Sequence, residues 1–232
     1  MRRYIDNRKV KRMAALGTAG LVVGVLSMLV GLGISFIERE NAPLVLSTSF
    51  MGVIIAQLGL TQRSRWGGHP RTDETLDDSL KGLDDRYAIF HYLLGASHTL
   101  VCPAGVFAVC TTSLEGEIAY KGGQWMHTPP AGRRNRPSKP RSLGQPDRET
   151  SAEVERLKKA LAKHLGGAPT VNPQPLLVFL HQNARVEDVD APYRALHAKK
   201  LKAYLRGLPK AATLPHDQVE GLARALRVEP AD

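Results

Sequence analysis

SHTLVCPAGVFAVCTT (residues 97–112) decides how the rest of this chain is read. Segments 98–102 and 106–111 are rich in β-branched and apolar residues, and Pro103-Ala104-Gly105 lies between them. Proline has its φ already set for the first central position of a turn, and glycine suits the exit. The stretch therefore predicts a tight hairpin. Neither strand carries a charge, as expected for strands covered on both faces inside an α/β sheet.

Outward from the hairpin the pattern alternates between strands and helices. Residues 72–83 predict a helix, with Thr72 as cap, acids in the first turn, and Leu76, Leu80 and Leu83 at helical spacing. Residues 86–92, RYAIFHY, predict a strand. Beyond the hairpin, 117–120 and 124–126 flank the turn Lys121-Gly122-Gly123, a second hairpin or a bulged strand. Thr150-Ser151-Ala152-Glu153 has the form of a capping box opening a helix to Leu165, with Val154, Leu157, Leu161 and Leu165 on one face and Gly166-Gly167 at its end. Strands are expected at 175–181 and 193–197. Amphipathic helices are expected at 199–206 and 215–227.

The N-terminal part has a different composition. Residues 1–12 form a basic leader, and 13–37 are 25 residues without a charge. At about 1.5 Å per residue such a helix exceeds a hydrocarbon core of about 30 Å. A second apolar run covers 43–60, after the connection Glu38-Arg39-Glu40-Asn41-Ala42. The expectation is a transmembrane hairpin over 13–61. Lys and Arg before the first span and after the second place both termini in the cytoplasm of a two-span membrane protein. Gly17, Gly20, Gly24, Ser27 and Gly31 step along one helix, and Ser49, Gly52, Ala56 and Gly59 along the other. Small residues so spaced let membrane helices approach closely. Packing within the hairpin is preferred over oligomerisation or docking to a larger complex. Residues 62–70 form a linker in which Trp66 would anchor at the interface.

The formal charge of +10 divides into +4 over residues 1–61 and +6 over the rest. An excess this modest is weak support for nucleic acid as a partner. Loop 128–148 concentrates five prolines with Arg133, Arg134, Arg136, Lys139 and Arg141. Those side chains are candidates for anion binding; no aromatic residue is present there to stack on bases. Cys102 and Cys110 are the only cysteines, which excludes a cysteine zinc site and leaves a disulfide open, with two free thiols preferred. His91, His98, Cys102 and Cys110 lie on neighbouring strands, and a soft-metal site there is the lesser reading because the face of Cys110 is not fixed. No phosphate-binding glycine loop, HExxH or GxSxG occurs. No cofactor and no metal is expected.

His98 and the turn Pro103-Ala104-Gly105-Val106-Phe107, with Gly116-Glu117-Ile118 and Gly123-Gln124-Trp125 further on, resemble the nuclease-related (NERD) domain family. The resemblance runs from about residue 71 to residue 207. It implies a restriction-endonuclease-like mixed sheet with flanking helices over 71–207, followed by a C-terminal helix and tail over 208–232. The family's metal-binding Asp, Glu and Lys positions fall on Ser97, Cys110 and Thr112. Glu74 falls nearest the assisting Glu of the first helix. Neutral hydroxyls and a soft thiol are poor substitutes for carboxylates that hold Mg²⁺. The resemblance therefore implies a membrane-anchored pseudo-nuclease, an interaction or scaffold module that could serve as an accessory subunit of a membrane complex. Its expected partners are the bilayer and a membrane or cytoplasmic protein, or a second copy of itself. The alternative is a membrane-tethered metal-dependent nuclease with a relocated site.

Overall fold

Strands β3 (His98–Cys102) and β4 (Gly105–Thr112) form the expected antiparallel hairpin, His98 opposite Val109 and Cys102 opposite Gly105, at the centre of the main sheet. This computed structural model describes residues 1–37, 42–68, 70–130, 138–166 and 171–231. Gly105 leaves the turn at φ 132°, a backbone conformation that favours glycine.

Seven strands make up this sheet. Their order is β10 (Arg194–His197), β8 (Gln174–Phe179), β4, β3, β2 (Ala88–His91), β1 (Arg2–Ile5) and β11 (Pro230–Ala231). β3 runs antiparallel to both of its neighbours, β2 and β4; β8 runs parallel to β4 and β10 parallel to β8. The fold is thus mixed α/β. A second, four-stranded sheet has the order β7 (Arg141–Ser142), β6 (Gln124–Thr128), β5 (Gly116–Lys121) and β9 (Ala184–Glu187). The predicted second hairpin is β5–β6, and it belongs to this separate sheet.

Strand alternation sorts the core into layers. Ile89, Leu100, Cys102, Phe107, Val109, Leu176 and Val178 point to one face, against Leu76 and Leu80 of α3 (Thr72–Leu80) and Leu201 and Leu205 of α5 (Ala198–Gly207). Phe90, Val101, Val106 and Ala108 point to the other, against Val154, Leu157 and Leu161 of α4 (Pro146–Leu165) and Val219, Leu222 and Ala223 of α6 (His216–Ala225). Each Leu, Ile, Val or Phe among them contributes about 1.5–3 kcal/mol when fully buried. The second sheet covers the remaining part of that face, where Ile118 and Trp125 pack on Leu177, Phe179 and Ala195.

Several boundaries differ from expectation. The helix after Thr72 stops at Leu80, because Gly82 turns the chain at φ 78°. The strand expected at 86–92 is shortened to Ala88–His91, and Tyr92 takes φ 63°. The capping box does not cap. α4 begins at Pro146, whose missing N–H costs nothing in a first turn, so Thr150 lies inside the helix and is buried. Its C-terminal end is as predicted, with Gly166 left-handed at φ 74°. The C-terminal helix α6 belongs to the same core, beside α4.

The basic leader holds the largest difference. Arg2–Ile5 is not a leader but a sheet strand, paired parallel to β2 along Arg2–Ala88 to Ile5–His91. Tyr4 is buried and stacks on Phe90 with ring centroids 4.6 Å apart. The chain accordingly divides into two compact units, Met1–Asp6 with Thr72–Asp232, and Asn7–Arg71.

The second unit is a pair of long helices, α1 (Asn7–Ile37) and α2 (Ala42–Gly67). Both are longer than the apolar runs, since α1 takes in Arg8–Arg12 and α2 takes in most of the expected linker. Their most apolar stretches reach a mean hydropathy of 2.2 and 1.8 with 11% of each buried, so either helix is long and apolar enough to cross a membrane. The expected connection at 38–41 lies outside the described residues. Trp66 is buried rather than displayed, and its indole N–H donates to Gln62 at 3.1 Å.

The small residues meet along the seam of this pair. A methyl added at Gly20 would come 3.3 Å from Gly59 Cα, and one at Gly52 would come 2.8 Å from the Gly24 carbonyl oxygen. One at Gly31 would meet Ser49 Oγ at 2.6 Å, and one at Gly17 the Arg63 nitrogen at 2.5 Å. Gly24 faces Ala56, and Ser27 Oγ donates to the Thr48 carbonyl at 3.1 Å. Replacing Gly24 with Leu should therefore force the helices apart, at a cost of about 1–3 kcal/mol by overpacking. Oxidative crosslinking of a Ser27→Cys, Thr48→Cys chain measures this. Crosslinking should fall sharply with Gly24→Leu, and an unchanged yield would show that the seam tolerates bulk.

Candidate functional site

Two polar clusters flank the central hairpin, one on each face. On the α4 face the register carries Ser97 to a place across from Cys110, one step beyond the His98–Val109 pair. Thr112 follows two residues later on the same face, its strand paired here with Phe179. Three positions that the resemblance relates to a metal site are thus neighbours at one end of the hairpin. The groups they present are neutral. Ser97 donates both its backbone N–H and its hydroxyl to Glu153 of α4, at 2.6 and 3.1 Å, and Arg156 donates to the same carboxylate at 2.6 Å. Glu153 is therefore engaged as a structural acceptor.

The Cys110 thiol is pushed up to about 11, mainly by burial and further by the charges of Glu153 and Glu149. It remains protonated at neutral pH, and a thiol rather than a thiolate is neither a good nucleophile nor a good ligand. Thr150 Oγ1 lies against both the Cys110 thiol and the Tyr193 hydroxyl, yet makes hydrogen-bond geometry with neither. Burial also raises the Tyr193 phenol. The neighbouring Trp125 donates its indole N–H to Asp147 at 3.0 Å, so it is a packing residue with a satisfied polar edge.

Glu74 does not join Ser97 and Cys110. It belongs to α3, which packs on the opposite face of the sheet. The acids that α3 turns inward are Asp73 and Asp77. They stand four residues apart on the stripe that also carries Leu76 and Leu80. That spacing was visible in the sequence and marks one helix face.

Asp77 anchors the second cluster. His91 Nε2 lies 3.0 Å from Asp77 Oδ1, and His91 Nδ1 lies 2.7 Å from His98 Nδ1. With both rings neutral the direction of this chain is determined. His91 must donate from Nε2 to the carboxylate, so its Nδ1 accepts, and His98 donates from Nδ1. Cross-strand pairing of His91 with His98 brings the rings together. Arg3 of β1 reaches the second Asp77 oxygen at 3.5 Å, and the Tyr92 hydroxyl donates to Asp73 at 3.3 Å. Such a carboxylate–imidazole–imidazole chain can relay a proton. Both rings are fully buried, however, which closes it to any sizeable substrate. Its direct effect is to tie β1, α3, β2 and β3 together.

The soft-metal grouping is not formed. His98 and Cys102 share the α3 face, while Cys110 lies on the α4 face. Both cysteines are free, and burial raises the Cys102 thiol as well. Among the described residues no group of three or more His, Cys, Asp or Glu side chains is placed to hold a metal ion. Of the basic-loop candidates, Lys139 and Arg141 are exposed, Arg141 pairing in β7 opposite His127. Arg133, Arg134 and Arg136 lie outside the described residues. Open grooves are found on the second sheet, one of about 380 Å³ bordered by Glu115, Glu117, Asn183 and Arg185. Its acids are matched by internal partners, Asn183 Nδ2 donating to Glu115 at 2.8 Å and Arg185 standing 3.8 Å from Glu117. No family model matches the chain, nor does any curated protein or solved structure.

Proposed function

We propose that the protein is a membrane-anchored member of the nuclease-related branch of the restriction-endonuclease-like fold, and that its α/β unit is a non-catalytic interaction module. The order α3, β2, hairpin β3–β4, α4, β8, β10 and α5, with β5, β6, β7 and β9 of the second sheet set between these elements, supports the fold assignment, because helix, strand, hairpin, helix, strand, strand and helix is the order that the resemblance implies. The observation that carries the functional reading is the set of groups at Ser97, Cys110 and Thr112. Ladder register makes them neighbours, yet they offer two hydroxyls and a protonated thiol, and the nearby Glu153 is already engaged. A hard divalent ion needs anionic oxygens to stay bound among phosphates. Without it, and without a cation beside the attacking water, phosphodiester hydrolysis loses its main electrostatic support.

The membrane part of the reading gains support from connectivity. Strand β1 precedes α1 and pairs with β2, which follows α2, so both ends of the helix pair feed one compact unit. A unit assembled from both ends lies on one side of a bilayer, which an even number of crossings satisfies. Lys and Arg at those ends favour the cytoplasmic side. A protein partner, or a second copy, would then dock on the α/β unit.

The test is the full-length protein in mild detergent, incubated with single- and double-stranded DNA and RNA plus Mg²⁺ or Mn²⁺. No cleavage above a mock preparation is expected. Cleavage that co-purifies with the chain and is lost on Glu117→Gln or Glu153→Gln would overturn the reading in favour of a relocated site.

A further inference from the structure

Unit Asn7–Arg71 carries a charge pattern that the anchoring role alone does not require. The start of α1 supplies Arg8, Lys9, Lys11 and Arg12, and the end of α2 supplies Arg63 and Arg65; all six are exposed. The helix seam brings these two sets together. Gly17 lies against Gln62 and Arg63, and Gly67 lies within 4 Å of Ala14 at its added-methyl position. Six cations are thereby gathered at one end of the pair. Neither helix contains an acidic residue, and Asp6 is the only acid within residues 1–37.

The placement is unfavourable for the isolated helix. The first turn of α1 holds no acid, and Asp6 just before it sets one carboxylate against four cations at the positive end of a helix dipole, an end that favours anions. Repulsion among Arg8, Lys11, Arg12 and Arg63 adds to this, while Arg65 lies over the Trp66 ring, 5.7 Å from its centroid. An external anion at this end would relieve both terms at once, since its phosphate oxygens can accept from the guanidinium and ammonium groups together. The adjoining surface of the pair is apolar and exposed, with Leu16, Val22, Val23 and Leu58 among its outward residues. A partner with phosphate at one end and hydrocarbon beside it fits both surfaces.

We propose that this collar of Arg8, Lys9, Lys11, Arg12, Arg63 and Arg65 is a binding site for the headgroup phosphates of anionic phospholipid. The inference rests on the membrane-spanning reading and adds a lipid class to it. A basic residue near an anionic leaflet contributes about 1 kcal/mol, or about five-fold in affinity. Four neutralised residues should accordingly lower anionic-lipid retention by about two to three orders of magnitude.

The probe is phosphatidylglycerol against phosphatidylcholine, offered to the full-length protein in detergent and read as lipid retained by native mass spectrometry. Wild type should retain phosphatidylglycerol at least about ten-fold better, and the preference should weaken as salt is raised. The Arg8→Gln, Lys11→Gln, Arg12→Gln, Arg63→Gln chain should lose the preference while still floating with phosphatidylcholine vesicles. Equal retention of the two lipids by wild type, or a preference indifferent to salt, would overturn the lipid inference and leave the anchor reading standing. Full displacement of phosphatidylglycerol by short single-stranded DNA would overturn it as well, marking the collar as a general polyanion surface. Failure of wild type to float with any vesicle would instead overturn the membrane-spanning reading.

Discussion

Replacing Asp77 with Ala is expected to destabilise the α/β unit by about 2–4 kcal/mol. The substitution leaves His91 Nε2–H, fully buried, without its acceptor at 3.0 Å. An orphaned buried donor costs about 1–3 kcal/mol. It also removes the partner of the partly buried Arg3, 3.5 Å away, a pair for which about 1 kcal/mol is reasonable. For a unit of this size the two losses together correspond to a melting temperature lower by about 5–15 °C. Asp77→Asn separates the contributions. An amide oxygen still accepts from His91, so that variant should lose only the charge and cost about 1 kcal/mol. The measurement is thermal unfolding of the full-length protein in detergent, followed by near-ultraviolet circular dichroism. If Asp77→Ala unfolds with wild type, the carboxylate does not organise the two histidines.

The difference between the two faces of the hairpin explains what the sequence disclosed. Residues 97–112 were legible because an uncharged run broken by Pro103 and Gly105 has few other solutions. α4, α5 and α6 were legible because their buried residues recur at helical spacing. β1 was not, because RRYI has two charged residues in four and its signal as a strand comes from Phe90, eighty-six residues beyond Tyr4, on which that ring stacks. β7, β9 and β11 are too short for a pattern to form; their existence depends on the neighbours that pair with them. The site shows the same division. Ser97, Cys110 and Thr112 could be named from the motif, and register then made them neighbours. Asp77 is less conspicuous in the sequence than the first-turn acid Glu74, although Asp73, Leu76, Asp77 and Leu80 mark the inward stripe. The 2.7 Å contact between His91 and His98 needed the register of β2 on β3, which no local pattern supplies.

The other large effect concerns β1. A chain beginning at Thr72 should fail to form a stable α/β unit. It would lose the four-residue ladder along β2, strip the partner from β11, and uncover Phe90. Tyr4 alone is worth about 3–5 kcal/mol by comparison with aromatic truncations in other cores. Exposed β2 would also become a free sheet edge, inviting association. Helices α1 and α2 contribute no strand to this ladder, and this gives the prediction its sharp form. Asp6 follows Ile5, which pairs with His91, and Asp73 is held by the hydroxyl of Tyr92. Both cut ends of the unit therefore lie near residues 91–92, and a flexible Gly/Ser linker of about ten residues spans about 17 Å. Residues 1–6 joined by such a linker to 72–232 should fold as a soluble protein with a cooperative melt. The same design carrying Tyr4→Ala should melt well below it, and 72–232 alone should aggregate or melt broadly. If 72–232 alone matches the linked design in melting and solubility, β1 is dispensable. The structural reason for placing both termini on one side of the membrane would fall with it.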